Sequence, residues 1–103
     1  MSAVAREGAP PRRPQSAGRR PQHPGQFLET RFLKPLALSQ DALAKELGIS
    51  RRRVNEIVNG RRGLTADTAL RLARYFNTGP ELWLHLQAAW DLHRARLEYQ
   101  RRN

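Results

Sequence analysis

The sequence predicts an all-α domain of five helices behind a disordered N-terminal leader, and three observations carry that reading. Beyond residue 24 apolar residues recur at three- and four-residue spacings, and strand-like alternation is missing. Ser39, Ser50, Thr65 and Pro80 stand where helices would begin, and Gly48 and Gly60 where two of them would end. Ahead of residue 25 lie Pro10, Pro11, Pro14, Pro21 and Pro24 with five arginines and almost no large apolar group. Such a stretch cannot bury enough surface to offset its ordering entropy.

At 103 residues the chain suits one small domain with a single core. The expected organisation is a disordered basic leader at 1–23, a folded domain at 24–98 and a basic tail at 99–103. In "GQFLETRFLKPL" Leu28 and Phe32 lie four apart, and the first helix should stop at Lys34, because Pro35 disfavours the α conformation of the residue before it. In "LSQDALAKELG" Ser39 caps a second helix, Asp41 suits the positive end of its dipole, and Leu43, Ala44 and Leu47 share a face before Gly48. Ser50 caps a third helix running to Asn59 and Gly60, with Val54, Ile57 and Val58 on the buried side. Thr65 caps a fourth, whose expected stripe is Ala66, Ala69, Leu70, Ala73 and Phe76, with Asp67 and Arg71 paired outside. Pro80 fits the first position of a fifth helix, which runs to about Arg96 or beyond.

The second and third helices are separated only by Gly48 and Ile49 ahead of the Ser50 cap, so residues 39–59 read as a helix-turn-helix. In that arrangement the start of the second helix meets base edges in the major groove of DNA. The charge agrees: 19 basic residues, 17 of them arginine, stand against 9 acidic ones, a net +10. The leader's removal still leaves +6. Arginine suits phosphates and guanine edges because its planar fork donates two parallel hydrogen bonds.

On a helical wheel advancing about 100° per residue, the face opposite Val54, Ile57 and Val58 holds Arg52, Asn55, Glu56 and Asn59. Arg51 lies at the exposed N-terminal edge and Arg53 to one side. Arg51, Arg52 and Asn55 are therefore the expected base-reading set. Gln40, Arg53, Asn59, Arg61 and Arg62 are the expected phosphate contacts, Arg53 having an intramolecular carboxylate as its alternative. The fifth helix carries Leu82, Trp83, Leu84, Leu86, Trp90, Leu92 and Leu97, more apolar surface than so small a domain should hide. Trp83, Leu86 and Trp90 are expected at a homodimer interface, which also suits paired recognition helices on double-stranded DNA, the alternative for Trp83 and Trp90 being ordinary places in the core.

Other chemistries find little support. There is no cysteine for a disulfide or a thiolate site, and His23, His85 and His93 form no ligand cluster, so no metal and no cofactor is expected. No phosphate loop, nucleophile motif or carboxylate dyad points to an enzyme. No apolar run approaches the roughly 20 residues of a membrane span, and a cytoplasmic setting is expected.

The stretch from His23 to about Leu92, some two thirds of the chain, resembles the HigA antitoxins, a branch of the Xre-type, lambda-repressor-like helix-turn-helix family. "VNEIVNGRRGLTADTALRLARYF" and "WLHLQAAWDL" carry most of the likeness. The resemblance implies a dimeric antitoxin that binds a HigB-like toxin, a RelE-type ribonuclease cleaving mRNA on the ribosome, and that represses their shared operon through operator DNA. It implies that Gln40 and Arg51 fall where the family's DNA-contacting glutamines often lie, and Arg52, Asn55, Asn59 and Arg62 on other contact positions. Arg51 in place of glutamine alters the expected base preference. Two other readings remain: a stand-alone Xre-type transcriptional regulator without a toxin, and a basic adaptor that binds membrane or RNA through the leader.

Overall fold

The structure is a computed structural model that describes residues 20–102. Residues 1–19, most of the expected leader, lie outside the described residues. Helix α1 spans 24–36 in three consecutive parts: an α-helical start at Pro24–Leu28, a π-helical turn at Glu29–Leu33, and a last α turn at Lys34–Leu36. Four α-helices follow: α2 at Gln40–Leu47, α3 at Arg51–Val58, α4 at Ala66–Phe76 and α5 at Pro80–Arg102. The architecture is all-α, as the periodicity predicts.

Local chemistry sets the helix starts. The Ser39, Ser50 and Thr65 hydroxyl oxygens accept from the N–H groups of Ala42, Arg53 and Thr68 at 3.0, 3.0 and 3.3 Å. Each satisfies one of the donors that a helix start leaves without an intrahelical partner. Gly48 ends α2 at φ +73°, a left-handed conformation that a side chain resists. Its lack of a Cβ also leaves room for Arg71, whose Nη1 donates to the Leu47 carbonyl at 2.7 Å.

Several expectations are corrected. Helix α1 does not stop at Lys34 but continues through Pro35 to Leu36. The π turn explains this: the Lys34 N–H bonds the Glu29 carbonyl five residues back, and the helix widens just before the proline ring. It also brings Leu28 and Leu33 into the core together, although α spacing would set them about 140° apart. His23, expected in the disordered leader, is buried and caps α1, its Nδ1 accepting from the Gly25 N–H at 2.9 Å. In α4 the buried stripe is Thr68, Ala69, Leu72 and Ala73, while Ala66 is exposed and Leu70 is 59% exposed. Helix α5 runs on through the expected basic tail as far as Arg102.

Trp83, expected at a dimer interface, is 0% exposed and lies at the centre of the core. Its ring packs against Phe27, Phe32 and Phe76 with centroid distances of 5.6, 5.5 and 6.5 Å. Its indole N–H donates to Thr78 Oγ1 at 2.9 Å, so the one polar atom of the ring is satisfied inside the chain. The loop between α4 and α5 supplies that acceptor, which spacing alone does not reveal.

The tightest constraint lies between α1 and α3. Gly25 sits so close to the end of α3 that a Cβ there would stand 1.7 Å from the Ile57 carbonyl oxygen. Gly25→Ala should therefore destabilise the domain by about 1–3 kcal/mol or more, despite alanine's better helix propensity. Urea denaturation followed by circular dichroism checks this; an unchanged midpoint would contradict the close packing.

Candidate nucleic-acid interface

Helix α3 is eight residues long, about two turns, and cannot hold its own shape in water. It is held by Val54 and Ile57, which are 1% and 2% exposed in the core, and by its Ser50 cap. With that side committed, Arg51, Arg52, Asn55 and Asn59 point to solvent, and Arg53 is half-buried at the flank. The wheel thus sorts the arginines as the structure does.

The exposed side chains are joined in two sets. Asn55 Nδ2 donates to Gln40 Oε1 at 3.0 Å, and Asn59 Nδ2 donates to Asn55 Oδ1 at 3.2 Å. This row ties the start of α2 to the end of α3. It leaves Asn55 one free N–H and one free lone pair, enough to meet an adenine edge, and leaves the Gln40 amide donors for a phosphate oxygen.

The second set centres on Glu56. Arg52 Nε donates to its Oε2 at 3.2 Å, and Arg62 Nε to its Oε1 at 2.9 Å. The Arg62 hydrogen bond, and secondarily that of Arg52, holds the Glu56 carboxyl below its ordinary pKa against the opposing effect of desolvation. The carboxylate therefore stays ionised and fixes two guanidinium groups on either side of the exposed face. The spacing of Arg52 and Glu56 makes their pairing legible in the sequence. The reach of Arg62 from beyond the Gly60 turn is not. Arg51 and Arg61 are exposed, so all eight expected DNA contacts lie on or beside α3 or at the head of α2.

Two supporting residues carry no sequence signal. Gln87 on α5 accepts from the Leu64 N–H at 2.7 Å through Oε1 and donates to Asp91 Oδ1 at 2.9 Å. It pins the loop after α3 to the last helix. Gly63 permits this, because a Cβ there would come within 3.1 Å of the Gln87 amide.

The remaining expected dimer residues are placed differently from one another. Leu86 is half-buried against the core, and Trp90 is half-buried with its ring edge-on to His23 at 5.4 Å. The exposed apolar residues of α5 include Leu84, Leu92 and Tyr99, which with Ala88 and Ala95 make one stripe at helical spacing.

A family model described as helix-turn-helix matches residues 31–83. The chain is 53% identical over 78 residues to "Virulence-associated protein I" of Dichelobacter nodosus, covering 76% of this chain and 72% of that one. It is 40% identical over 82 residues to "Antitoxin HigA-1" of Vibrio cholerae, covering 80% and 77%. Among solved structures, the Pseudomonas aeruginosa antitoxin HigA with the higBA promoter superposes with a TM-score of 0.77 at 41% identity, covering 81% of this chain and 90% of that one.

Proposed function

Since the chain belongs to the helix-turn-helix family, in the branch of the HigA antitoxins, we propose that it is an antitoxin that binds operator DNA as a repressor and neutralises a HigB-like, mRNA-cleaving toxin by stoichiometric binding. The observation that carries the DNA part is the exposed face of α3, where Arg51, Arg52 and Asn55 stand in front of a buried anchor with Arg61 and Arg62 beyond it. The likeness to an antitoxin found with its promoter supports the same reading. The action is binding and needs no catalysis, cofactor or metal. Its setting is the cytoplasm, where operator and ribosome are both present. Among the described residues no helix is long and apolar enough to cross a membrane.

A homodimer completes the proposal. The stripe of Leu84, Leu92 and Tyr99, with exposures of 36%, 51% and 70%, offers apolar surface that a second copy would cover.

Arg52→Ala should cost about 1–3 kcal/mol on the operator and relax discrimination at one base pair, whereas Arg62→Ala should weaken operator and random duplex alike and reduce the salt slope by about 1. Binding titrations on both DNAs over a salt series measure this; equal losses on both for Arg52→Ala would count against base reading. Leu92→Asp should turn dimers into monomers in sedimentation velocity, and an unchanged dimer would move the interface elsewhere. Co-expression with the neighbouring gene tests the antitoxin part: rescue of growth and co-purification are expected, and a neighbour that is neither toxic nor retained would leave a DNA-binding regulator alone.

A further inference from the structure

A groove of about 490 Å³ lies between the loop that follows α3 and the outer side of α5. The loop lends it Arg61, Arg62 and the Thr65 cap, and α5 lends it Trp90, Asp91 and Arg94. Three arginines and one acidic residue thus line the groove; Arg62 is bonded to Glu56, and the Asp91 carboxylate already accepts from Gln87. Helix α4, eleven residues long, begins at this wall, so the positive end of its dipole adds to the same field.

His23 lines the groove as well, and it is 7% exposed. Its Nδ1 is occupied as an acceptor by the Gly25 N–H, so the neutral ring carries its proton on Nε2. No acceptor among the described residues meets that Nε2–H. Burial disfavours the charged ring, with the Asp91 carboxylate opposing and Arg94 reinforcing the effect. A buried donor in a residue that lines a groove of arginines is left without an acceptor, and an anion held there would supply one.

We propose that this groove is a phosphate-binding site in which Arg61 and Arg94 clasp a phosphoryl group and the His23 Nε2–H donates to one of its oxygens. A phosphoryl group has the charge and the several acceptor oxygens that two guanidinium forks and one ring donor can share. Two sources carry that chemistry, a backbone phosphate of bound DNA and a free phosphate ion. The first is favoured by position. Arg62 lies on the groove wall and is bonded to Glu56 of α3, so a duplex seated on α3 passes its backbone beside this loop. That source rests on the DNA reading above; the groove itself does not.

The test uses the full chain, isotopically labelled, with the His23 ring resonances followed by NMR. Inorganic phosphate is added at constant ionic strength against chloride, and a DNA duplex spanning the region upstream of the gene for this chain is added in a separate titration. A saturable shift of the His23 Nε2 signal with either probe is expected. Arg94→Gln, a change at an exposed side chain, should reduce the apparent phosphate affinity about tenfold while the remaining spectrum is retained. A shift with duplex alone assigns the site to the DNA backbone, and a shift with phosphate alone assigns it to the free ion. No shift with either probe, equal shifts with chloride, or full affinity in Arg94→Gln would overturn the proposal. Absence of duplex binding by the wild-type chain counts against the DNA reading, while the phosphate titration still decides the groove.

Discussion

The contact of Gly25 with the Ile57 carbonyl sets the position of nearly everything that bears on function. Backbone meets backbone there, and no side chain at residue 25 could be tolerated without separating α1 from α3. The approach seats the first turn of α1 beneath the end of α3. It also carries His23 to the far side of that junction, within van der Waals distance of where a Cβ on Gly60 would stand. The recognition helix is therefore braced at its C-terminal end by main chain and along its inner face by Val54 and Ile57. Such rigid support matters because a reading helix must hold its side chains in register with bases, and a two-turn helix has no stability of its own to supply that.

From this brace the fold proceeds by tertiary packing more than by propensity. Trp83 ties α5 to α1 and α4 through a cluster of three phenylalanines and anchors its own N–H on Thr78. The π turn in α1 serves the same core, since it lets Leu28 and Leu33 both face inward and carries the helix past Pro35. Gln87 then links the finished core back to the loop after α3. The helix that faces solvent for DNA is thus positioned from both ends by elements distant in sequence.

That division explains what is legible in the sequence. Caps, the Gly48 turn and the sorted face of α3 depend on contacts within a few residues, and the spacing of serines, glycines and valines declares them. The same holds for the Asp67–Arg71 pair, bonded at 2.9 Å. Spacing misplaces Trp83 because apolar residues surround α5 on several sides, and periodicity cannot say which side meets the core. His23 and Pro35 depart from expectation for a related reason: local rules favour a leader and a helix stop, and packing against α3 and the core overrides both. Leu70 shows the converse, an apolar residue at helical spacing that the fold leaves outside.

Glu56 makes the final point about how a strongly basic chain can be selective. A carboxylate on a surface meant for DNA opposes binding by charge, and exposed ion pairs contribute little to stability. Its role must therefore lie in geometry. It lies between Arg52 and Arg62 and orients both guanidinium groups, which lowers the side-chain entropy that binding has to remove. The Gln40–Asn55–Asn59 row does the same for the amides. Non-specific attraction is already abundant at net +10, so further charge adds little discrimination. In the proposed DNA complex, holding Arg52 and Asn55 in advance would favour the base pairs whose donors and acceptors match them, while Arg62, Gln40 and Asn59 would set the register on the backbone.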